Sequence, residues 1–145
     1  MTVAAMLKYK GPDIVSASPG DSIASAVALL AKMKIGAVVV CDSGGSLVGI
    51  LSERDIVRGL GEHGTDVMGH NVESLMTANV KTCTLNDTAD GLMKRMTEGR
   101  FRHMPVVGED GKLIGVISIG DVVKRRISQL EHETEAMRDY ISGHA

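Results

Sequence analysis

The stretch GVISIGD at residues 115–121 repeats the pattern of GILSERD at residues 49–55. Each stretch reads glycine, two aliphatic residues, serine, two variable residues and aspartate. The two stretches lie 66 positions apart in a chain of 145 residues. A phrase that occurs twice in so short a chain suggests that a larger unit has been duplicated.

A shift of 66 positions aligns residues 14–58 with residues 80–124 without a gap. Identical residues then coincide at the positions of Asp21 and Asp87, Val40 and Val106, Gly45 and Gly111, Leu47 and Leu113, and Val57 and Val123. Other positions keep their chemical character, as where Arg58 meets Lys124. Identity alone is modest, but the gapless register and the shared glycines predict an internal duplication.

Each copy predicts a strand, a helix, two further strands and a second helix. The runs DIVSAS (13–18) and NVKTCT (79–84) are rich in β-forming residues. Apolar residues at 23, 26, 27, 30 and 33 form one face of a helix that begins at Asp21 or Ser22. Turn residues at 42–46 and 108–112 join the next two strands as hairpins.

A last helix is predicted to run from the second motif to about Ser142. Its apolar positions follow a heptad-like spacing: Val123, Ile127, Leu130, Thr134, Met137 and Ile141. This seam is short and contains a threonine. It is compatible with packing on the chain's own domain and with packing against a second subunit.

The composition is that of an ordinary folded protein, with 43% apolar and 23% charged residues. The net charge of −2 and the scarcity of aromatic residues disfavour nucleic-acid and membrane-surface binding. No apolar run is long enough to cross a bilayer. The N-terminal residues do not resemble a signal peptide, so we expect a cytoplasmic location.

Catalytic and metal chemistry find little support in the sequence. Cys41 and Cys83 do not form a disulfide framework, and both align with small apolar residues of the other copy. The histidines at 63, 70, 103, 132 and 144 show no metal-ligand spacing with them. We therefore predict no enzyme activity and no metal site, and a redox role for either cysteine rests only on its presence.

The duplicated unit, with each copy ending in Gly-h-h-[Ser/Thr]-x-x-Asp (h, aliphatic), resembles the CBS domain, and the tandem pair resembles a Bateman module. The resemblance implies an α+β fold of two tandem β-α-β-β-α repeats related by pseudo-two-fold symmetry, plus a C-terminal helix. The expected segments are repeat 1 (1–62), a linker (63–71), repeat 2 (72–126) and a helical extension (127–145). It also implies a cleft for adenosine-containing ligands such as AMP, ATP, S-adenosylmethionine or NAD(H), and a homodimer.

The repeated Ser-x-x-Asp has two interpretations. It is the pattern of a capping box, in which serine and aspartate satisfy the first backbone groups of a helix. A helix N-terminus also suits a phosphate, and an adjacent carboxylate can accept hydrogen bonds from ribose hydroxyls. The resemblance assigns these roles to Ser52 with Asp55 and to Ser118 with Asp121, and the duplication favours nucleotide binding.

The two copies differ near this motif, which predicts clefts of unequal affinity. Arg54, Arg102 and His103 have no counterpart of the same type in the other copy and are possible phosphate ligands, although both arginines could be solvated surface charges. The base would enter an aliphatic slot rather than stack on an aromatic ring. Residues of that slot could equally be core. The complete predicted nucleotide site is Ser16, Ser52, Arg54, Asp55, Val80, Lys81, Thr82, Arg102, His103, Met104, Pro105, Ile117, Ser118 and Asp121.

The functional hypothesis is a sensor that binds AMP, ATP or NAD(H) and signals to an unidentified regulated protein through a change in module geometry. The alternative is a dimerisation or scaffold module that senses nothing and uses the C-terminal seam. An enzyme is disfavoured because the chain is too short for a catalytic barrel and shows no acid–base constellation.

Overall fold

Two β-hairpin units, each packed against helices, make up the structure, a computed structural model that describes residues 1–143. The first elements are α1 (Val3–Lys10), β1 (Ser16–Ala17), α2 (Ile23–Met33), β2 (Ala37–Cys41), β3 (Leu47–Ser52) and α3 (Glu53–His63). A 3₁₀ helix (Gly64–Gly69) then leads to α4 (Val72–Leu75), α5 (Ala89–Gly99), β4 (His103–Val107), β5 (Leu113–Ser118) and α6 (Ile119–Ile141). The predicted α+β fold of two tandem repeats and a C-terminal helix is confirmed.

The two hairpins keep the same register. Val39 pairs with Ile50 in the first, and the equivalent Pro105 pairs with Val116 in the second. The first hairpin gains β1 as a parallel strand, whereas the second gains only a bridge from Cys83 to Val106. Both predicted first strands are thus shorter than the runs 13–18 and 79–84, and each ends where a backbone N–H turns to a side chain: Ser18 N–H donates to Asp21 Oδ2 at 2.9 Å and Thr84 N–H to Asp87 Oδ2 at 2.8 Å.

The short helices that precede each repeat are exchanged between the two cores. Val3 and Met6 of α1 are buried in the second core, whereas Val72 of α4 is buried in the first. The exchange is symmetric: the Val3 N–H donates to the Asp87 carbonyl and the Val72 N–H to the equivalent Asp21 carbonyl, both at 2.8 Å. Helix α1 thus packs on the second repeat, although the expected segment 1–62 groups it with the first.

The glycine that opens each repeated motif lies beneath another part of the chain: the residues after α4 cover Gly49, and α1 covers Gly115. A Cβ atom added at Gly49 would lie 2.6 Å from Met76 Sδ and 3.0 Å from the Thr77 carbonyl oxygen. A Cβ at Gly115 would lie 2.7 Å from Leu7 Cδ2. The first position of the motif therefore carries no side chain because another segment packs directly on the strand.

The cores contain mainly aliphatic and methionine side chains, as the composition predicts. One core includes Leu92, Met96, Met104 and Ile117, all at most 1% exposed. Within residues 1–143, no helix combines the length and apolar character needed to span a bilayer.

Candidate nucleotide-binding site

A cavity of about 740 Å³ lies between the two halves, where the first residues of α3 and α6 face the same space. Ser52, Glu53 and Arg54 contribute one side, and Ser118, Ile119 and Gly120 contribute the other. The volume falls within the range of small-molecule sites. Two helix N-termini at one cavity provide partial positive charge and suit an anionic ligand.

Both repeated motifs form capping boxes. The Ser52 N–H donates to Asp55 Oδ2 at 3.0 Å, and the Asp55 N–H donates to Ser52 Oγ at 3.2 Å. The equivalent distances for Ser118 and Asp121 are 2.8 and 3.1 Å. The capping interpretation is confirmed for both copies, and it leaves the serines at the edge of the cavity.

Asp55 is a buried carboxylate in the wall of the cavity. It is 4% exposed, and no other charged side chain of the described residues is buried. Arg58 donates to Asp55 Oδ1 at 2.5 Å, and the Thr77 hydroxyl donates to the same oxygen at 3.4 Å. A buried carboxylate without a cationic partner would be costly, and Arg58 supplies that partner.

Asp121, the equivalent residue, is not part of this cavity. The Lys10 ammonium donates to Asp121 Oδ2 at 2.7 Å and to the Val116 carbonyl oxygen at 2.6 Å. Burial alone would raise the pKa of Asp121, but the hydrogen bond from Lys10, together with those from Ser118, lowers it below the usual value. Asp121 is thus paired with a lysine of helix α1, whereas Asp55 is paired with Arg58 of its own helix.

Basic side chains dominate the polar wall of the cavity. They come from both repeats and the segment between them: Arg54, Arg58, Lys81, Arg100 and Arg102. Arg54 Nη1 donates to the Arg100 carbonyl oxygen at 2.9 Å, so its guanidinium bridges the two halves. Only Glu53 and Asp55 oppose this charge among the residues that line the cavity.

His103 lies in the same wall, next to Gly36 and Glu53. Burial, followed by the positive charges of Lys10 and Arg102, lowers the pKa of its imidazole below the usual 6.5. His103 is therefore neutral near pH 7 and can donate or accept one hydrogen bond at each ring nitrogen.

Eight of the residues predicted from the sequence line this cavity: Ser52, Arg54, Asp55, Val80, Lys81, Arg102, His103 and Ser118. The other six lie elsewhere: Ser16, Thr82, Met104, Pro105, Ile117 and Asp121. Met104, Pro105 and Ile117 are buried, and Met104 and Ile117 belong to the second core. Ser16 pairs in β1, and the Thr82 carbonyl accepts a hydrogen bond from Arg95 at 2.9 Å.

Twelve further lining residues were absent from the predicted site, among them Arg58, Arg100 and Phe101. Arg58 lies three residues after Asp55, a spacing that indicates an ion pair on a helix. Arg100 follows α5 with a positive φ of 56°, as its counterpart Lys34 follows α2 at 55°. Phe101 also lines the cavity. The wall therefore contains an aromatic ring, whereas the sequence predicted a slot of aliphatic residues for the base.

The cysteines lie outside this cavity. Burial, then the charge of Asp87, raises the pKa of Cys83 to about 11. Burial, then Asp42, also raises the pKa of Cys41. Both thiols are therefore protonated near pH 7 and poorly nucleophilic. Within residues 1–143, no three potential metal-ligating side chains come together.

Replacing Lys10 by methionine is expected to raise the pKa of Asp121 towards its ordinary value. A carboxyl with a lowered pKa stabilises the fold above its unfolded-state pKa and loses that contribution as the pH falls. Lys10→Met should therefore lower the free energy of unfolding by about 0.5–1 kcal/mol at pH 7, a modest value because both side chains are partly exposed, and by much less at pH 3.

Carbon-detected NMR titration and urea unfolding at the two pH values would measure both effects. Lys8→Met, an exposed position on the same helix, is the matched control and should change neither. An unchanged Asp121 pKa in Lys10→Met would contradict the assigned pairing.

Comparison with known proteins gives a consistent result. The family described as the CBS domain matches residues 8–62 and 72–128. The mitochondrial CBS domain-containing protein CBSX3 of Arabidopsis thaliana is 31% identical over 150 aligned positions, which cover 98% of this chain and 72% of that protein. Other curated relatives are longer, and the chain spans 63% of one and 22% of another.

Solved structures agree over most of both chains. A CBS-domain containing protein from Agrobacterium tumefaciens is 48% identical, with a TM-score of 0.84 over 87% of this chain and 99% of that one. A CBS domain protein from Pyrobaculum aerophilum, complexed with AMP, is 28% identical, with a TM-score of 0.77 over 92% and 99%.

Proposed function

The chain belongs to the CBS-domain family, and from that premise we propose that it is a regulatory module whose cavity binds an adenosine-containing nucleotide. AMP, ATP and NAD(H) are the ligands we propose, and the AMP complex of the Pyrobaculum aerophilum protein supports this class. Because some relatives are much longer, any activity of a whole protein that contains such a module is outside the proposal.

The observation that carries the proposal is the charge of the cavity wall. Five arginine and lysine side chains and two helix N-termini face a space that only two carboxylates oppose. Guanidinium groups bind phosphate through paired, charge-assisted hydrogen bonds. We assign the phosphate to the region of Arg54, Arg100 and Arg102, beside the start of α6.

The remaining parts of a nucleotide have suitable partners in the same wall. Asp55 accepts the ribose hydroxyls in this proposal, and they replace its two hydroxyl donors, Ser52 at 3.1 Å and Thr77 at 3.4 Å. Apolar side chains of Ile50, Val57, Val80 and Phe101 enclose the base. Asp121 has no such role in this proposal because Lys10 already binds it.

Binding of this kind couples the two repeats. The ligand would contact α3 of the first repeat and β4 and α6 of the second. The hydrogen bond from Arg54 to the Arg100 carbonyl already joins α3 to the end of α5 in the second repeat. A ligand that favours one relative arrangement of the halves shifts the population towards it. The regulated protein would read that arrangement.

Calorimetric titration of the full chain with AMP, ATP and NADH tests the proposal. We expect saturable binding of one nucleotide per chain. Asp55→Asn should weaken it at least about tenfold, since a charged acceptor is lost. Asp121→Asn is the matched control: it changes the same position of the equivalent capping box but not the cavity, so affinity should stay within about threefold.

Two results would contradict the proposal. One is the absence of binding below millimolar concentration for all three nucleotides. The other is equal weakening by Asp55→Asn and Asp121→Asn, provided that circular dichroism shows both variants folded. Equal weakening would assign the effect to helix capping and not to ligand contact.

A homodimer, a cytoplasmic location and a regulated partner protein complete the proposal. The alternative function, a dimerisation module without a ligand, is favoured by one observation. Beyond Arg126, the apolar residues of α6 are at least half exposed: Ile127, Leu130, Met137, Tyr140 and Ile141. A chain that dimerises but binds no nucleotide would support this alternative.

A further inference from the structure

Helix α6 carries an apolar seam that its own module does not cover. Val123, Ile127, Leu130, Met137 and Ile141 are 43, 52, 51, 62 and 78% exposed. Together with exposed Thr134 they occupy the alternating a and d positions of a heptad, with a at 127, 134 and 141. The seam runs over 19 residues, from Val123 to Ile141, a rise of about 27 Å along the helix.

The module packs against a different side of α6. Val122, at a heptad c position, is 1% exposed and lies in the second core. Arg125, at an f position, lies 3.6 Å from the centroid of the Tyr9 ring of α1. Positions c and f are on the face opposite a and d. The seam therefore points away from its own domain, which removes the intramolecular alternative for its packing.

Charges beside the seam specify a partner. The e positions are Lys124, Glu131 and Arg138, and the g positions are Arg126, Glu133 and Tyr140. In a parallel, in-register pair, each g position faces the e position five residues later on the other helix. Arg126 then faces Glu131 of a second copy, and Glu133 faces Arg138, so each of these contacts joins opposite charges.

An antiparallel pair that overlaps the whole seam lacks this match. Residues at e then face e, and residues at g face g. Lys124 would meet Arg138, while Glu131 and Glu133 would each meet its own copy. Like charges across an interface disfavour that orientation.

We propose that α6 pairs with α6 of a second copy as a short parallel coiled coil, with Arg126–Glu131 and Glu133–Arg138 contacts between the chains. This rests on the homodimer proposed above and adds the interface and its orientation. A parallel pair places the two modules side by side at the same end of the coiled coil, with their nucleotide cavities related by a two-fold axis along it.

Charge reversal in the full chain tests the contacts. Sedimentation equilibrium should show the dimer dissociation constant of E131K/E133K at least about tenfold above wild type, because every e and g contact becomes repulsive. The variant R126E/E131K/E133K/R138E exchanges the signs and should restore dimerisation to within about threefold. The control E135K/D139K makes the same change in net charge at b and f positions and should have no effect.

Cysteine cross-linking tests the orientation. In a Cys41→Ser background, Ile127→Cys and Met137→Cys are prepared as separate variants, since Cys83 is buried and unreactive. A parallel pair brings each position against its own copy, so both variants should form disulfide-linked dimers on oxidation. An antiparallel pair can do so at one of the two positions at most.

The outcomes separate this inference from the proposed function. A wild-type chain that stays monomeric would overturn both the homodimer and the coiled coil, while nucleotide titration still tests the cavity. A dimer that resists E131K/E133K, or that cross-links at only one position, would overturn the parallel coiled coil alone.

Discussion

Gly49→Val is expected to destabilise the fold by about 2–3 kcal/mol, a drop in melting temperature of roughly 5–10 °C for a chain of this size. The new Cβ would lie 2.6 Å from Met76 Sδ and 3.0 Å from the Thr77 carbonyl oxygen. Thr77 cannot easily move, because its N–H and carbonyl both bond to Ile50, at 2.8 and 3.0 Å. Strand β3 and residues 76–77 must therefore move apart.

Urea and thermal unfolding would compare the stability loss of Gly49→Val with the losses of valine substitutions at two other glycines. At Gly115 the three nearest atoms all belong to the flexible Leu7 side chain, so Gly115→Val should destabilise by only about 1–2 kcal/mol. Gly61, on α3, has nothing within 4 Å of an added Cβ, and Gly61→Val should stay within about 0.5 kcal/mol of wild type. Equal losses at Gly49 and Gly61 would refute the close-packing argument.

Local chemistry explains why much of the fold could be predicted from the sequence. Serine and aspartate three residues apart form a capping box by contacts within one turn, so both boxes appear where the pattern places them. The turn residues at 42–46 and 108–112 determine the hairpins in the same way. These features depend on neighbouring residues and need no knowledge of distant packing.

The exchange of α1 and α4 could not be predicted in this way. The core on which each short helix packs depends on contacts between residues more than 50 positions apart, such as Val3 with Asp87 and Val72 with Asp21. The same long-range packing brings Lys10 to Asp121 across 111 positions. The duplication predicted unequal clefts, but the residue that distinguishes Asp121 from Asp55 lies outside the aligned segment.

The candidate site also contains some residues that the sequence could predict and others whose position depends on packing. The sequence identified Ser52 and Asp55 because the duplication repeats them, and His103 because the other copy has an alanine at the aligned position. It misplaced Met104 and Ile117, since an apolar strand residue can face the cavity or the core, and the side is decided by packing. Phe101 was missed because its counterpart Ile35 indicates a core position.

Reversing the charge of Arg102 is expected to weaken nucleotide binding by about a hundredfold. Arg102 lines the cavity and is exposed, and its side chain makes no hydrogen bond or ion pair with other residues of 1–143. Arg102→Glu therefore replaces a charge-assisted phosphate contact by repulsion while leaving the packing intact. Calorimetry with AMP and ATP measures the loss, which should shrink as salt is raised.

The matched control for Arg102→Glu is Lys112→Glu, which makes the same charge change on the exposed β4–β5 turn, outside the cavity. Its affinity should stay within about threefold of wild type. His103 supplies a second measurement that needs no ligand. Because the positive charge of Arg102 helps to lower the pKa of His103, Arg102→Glu should raise that pKa in an NMR titration, and Lys112→Glu should not. Equal loss of affinity in both variants would show that only the overall charge of the protein affects binding, and that Arg102 makes no specific contact with the ligand. A loss confined to Arg102→Glu, with the His103 shift, would place the ligand's anionic group in the cavity where the two repeated motifs meet.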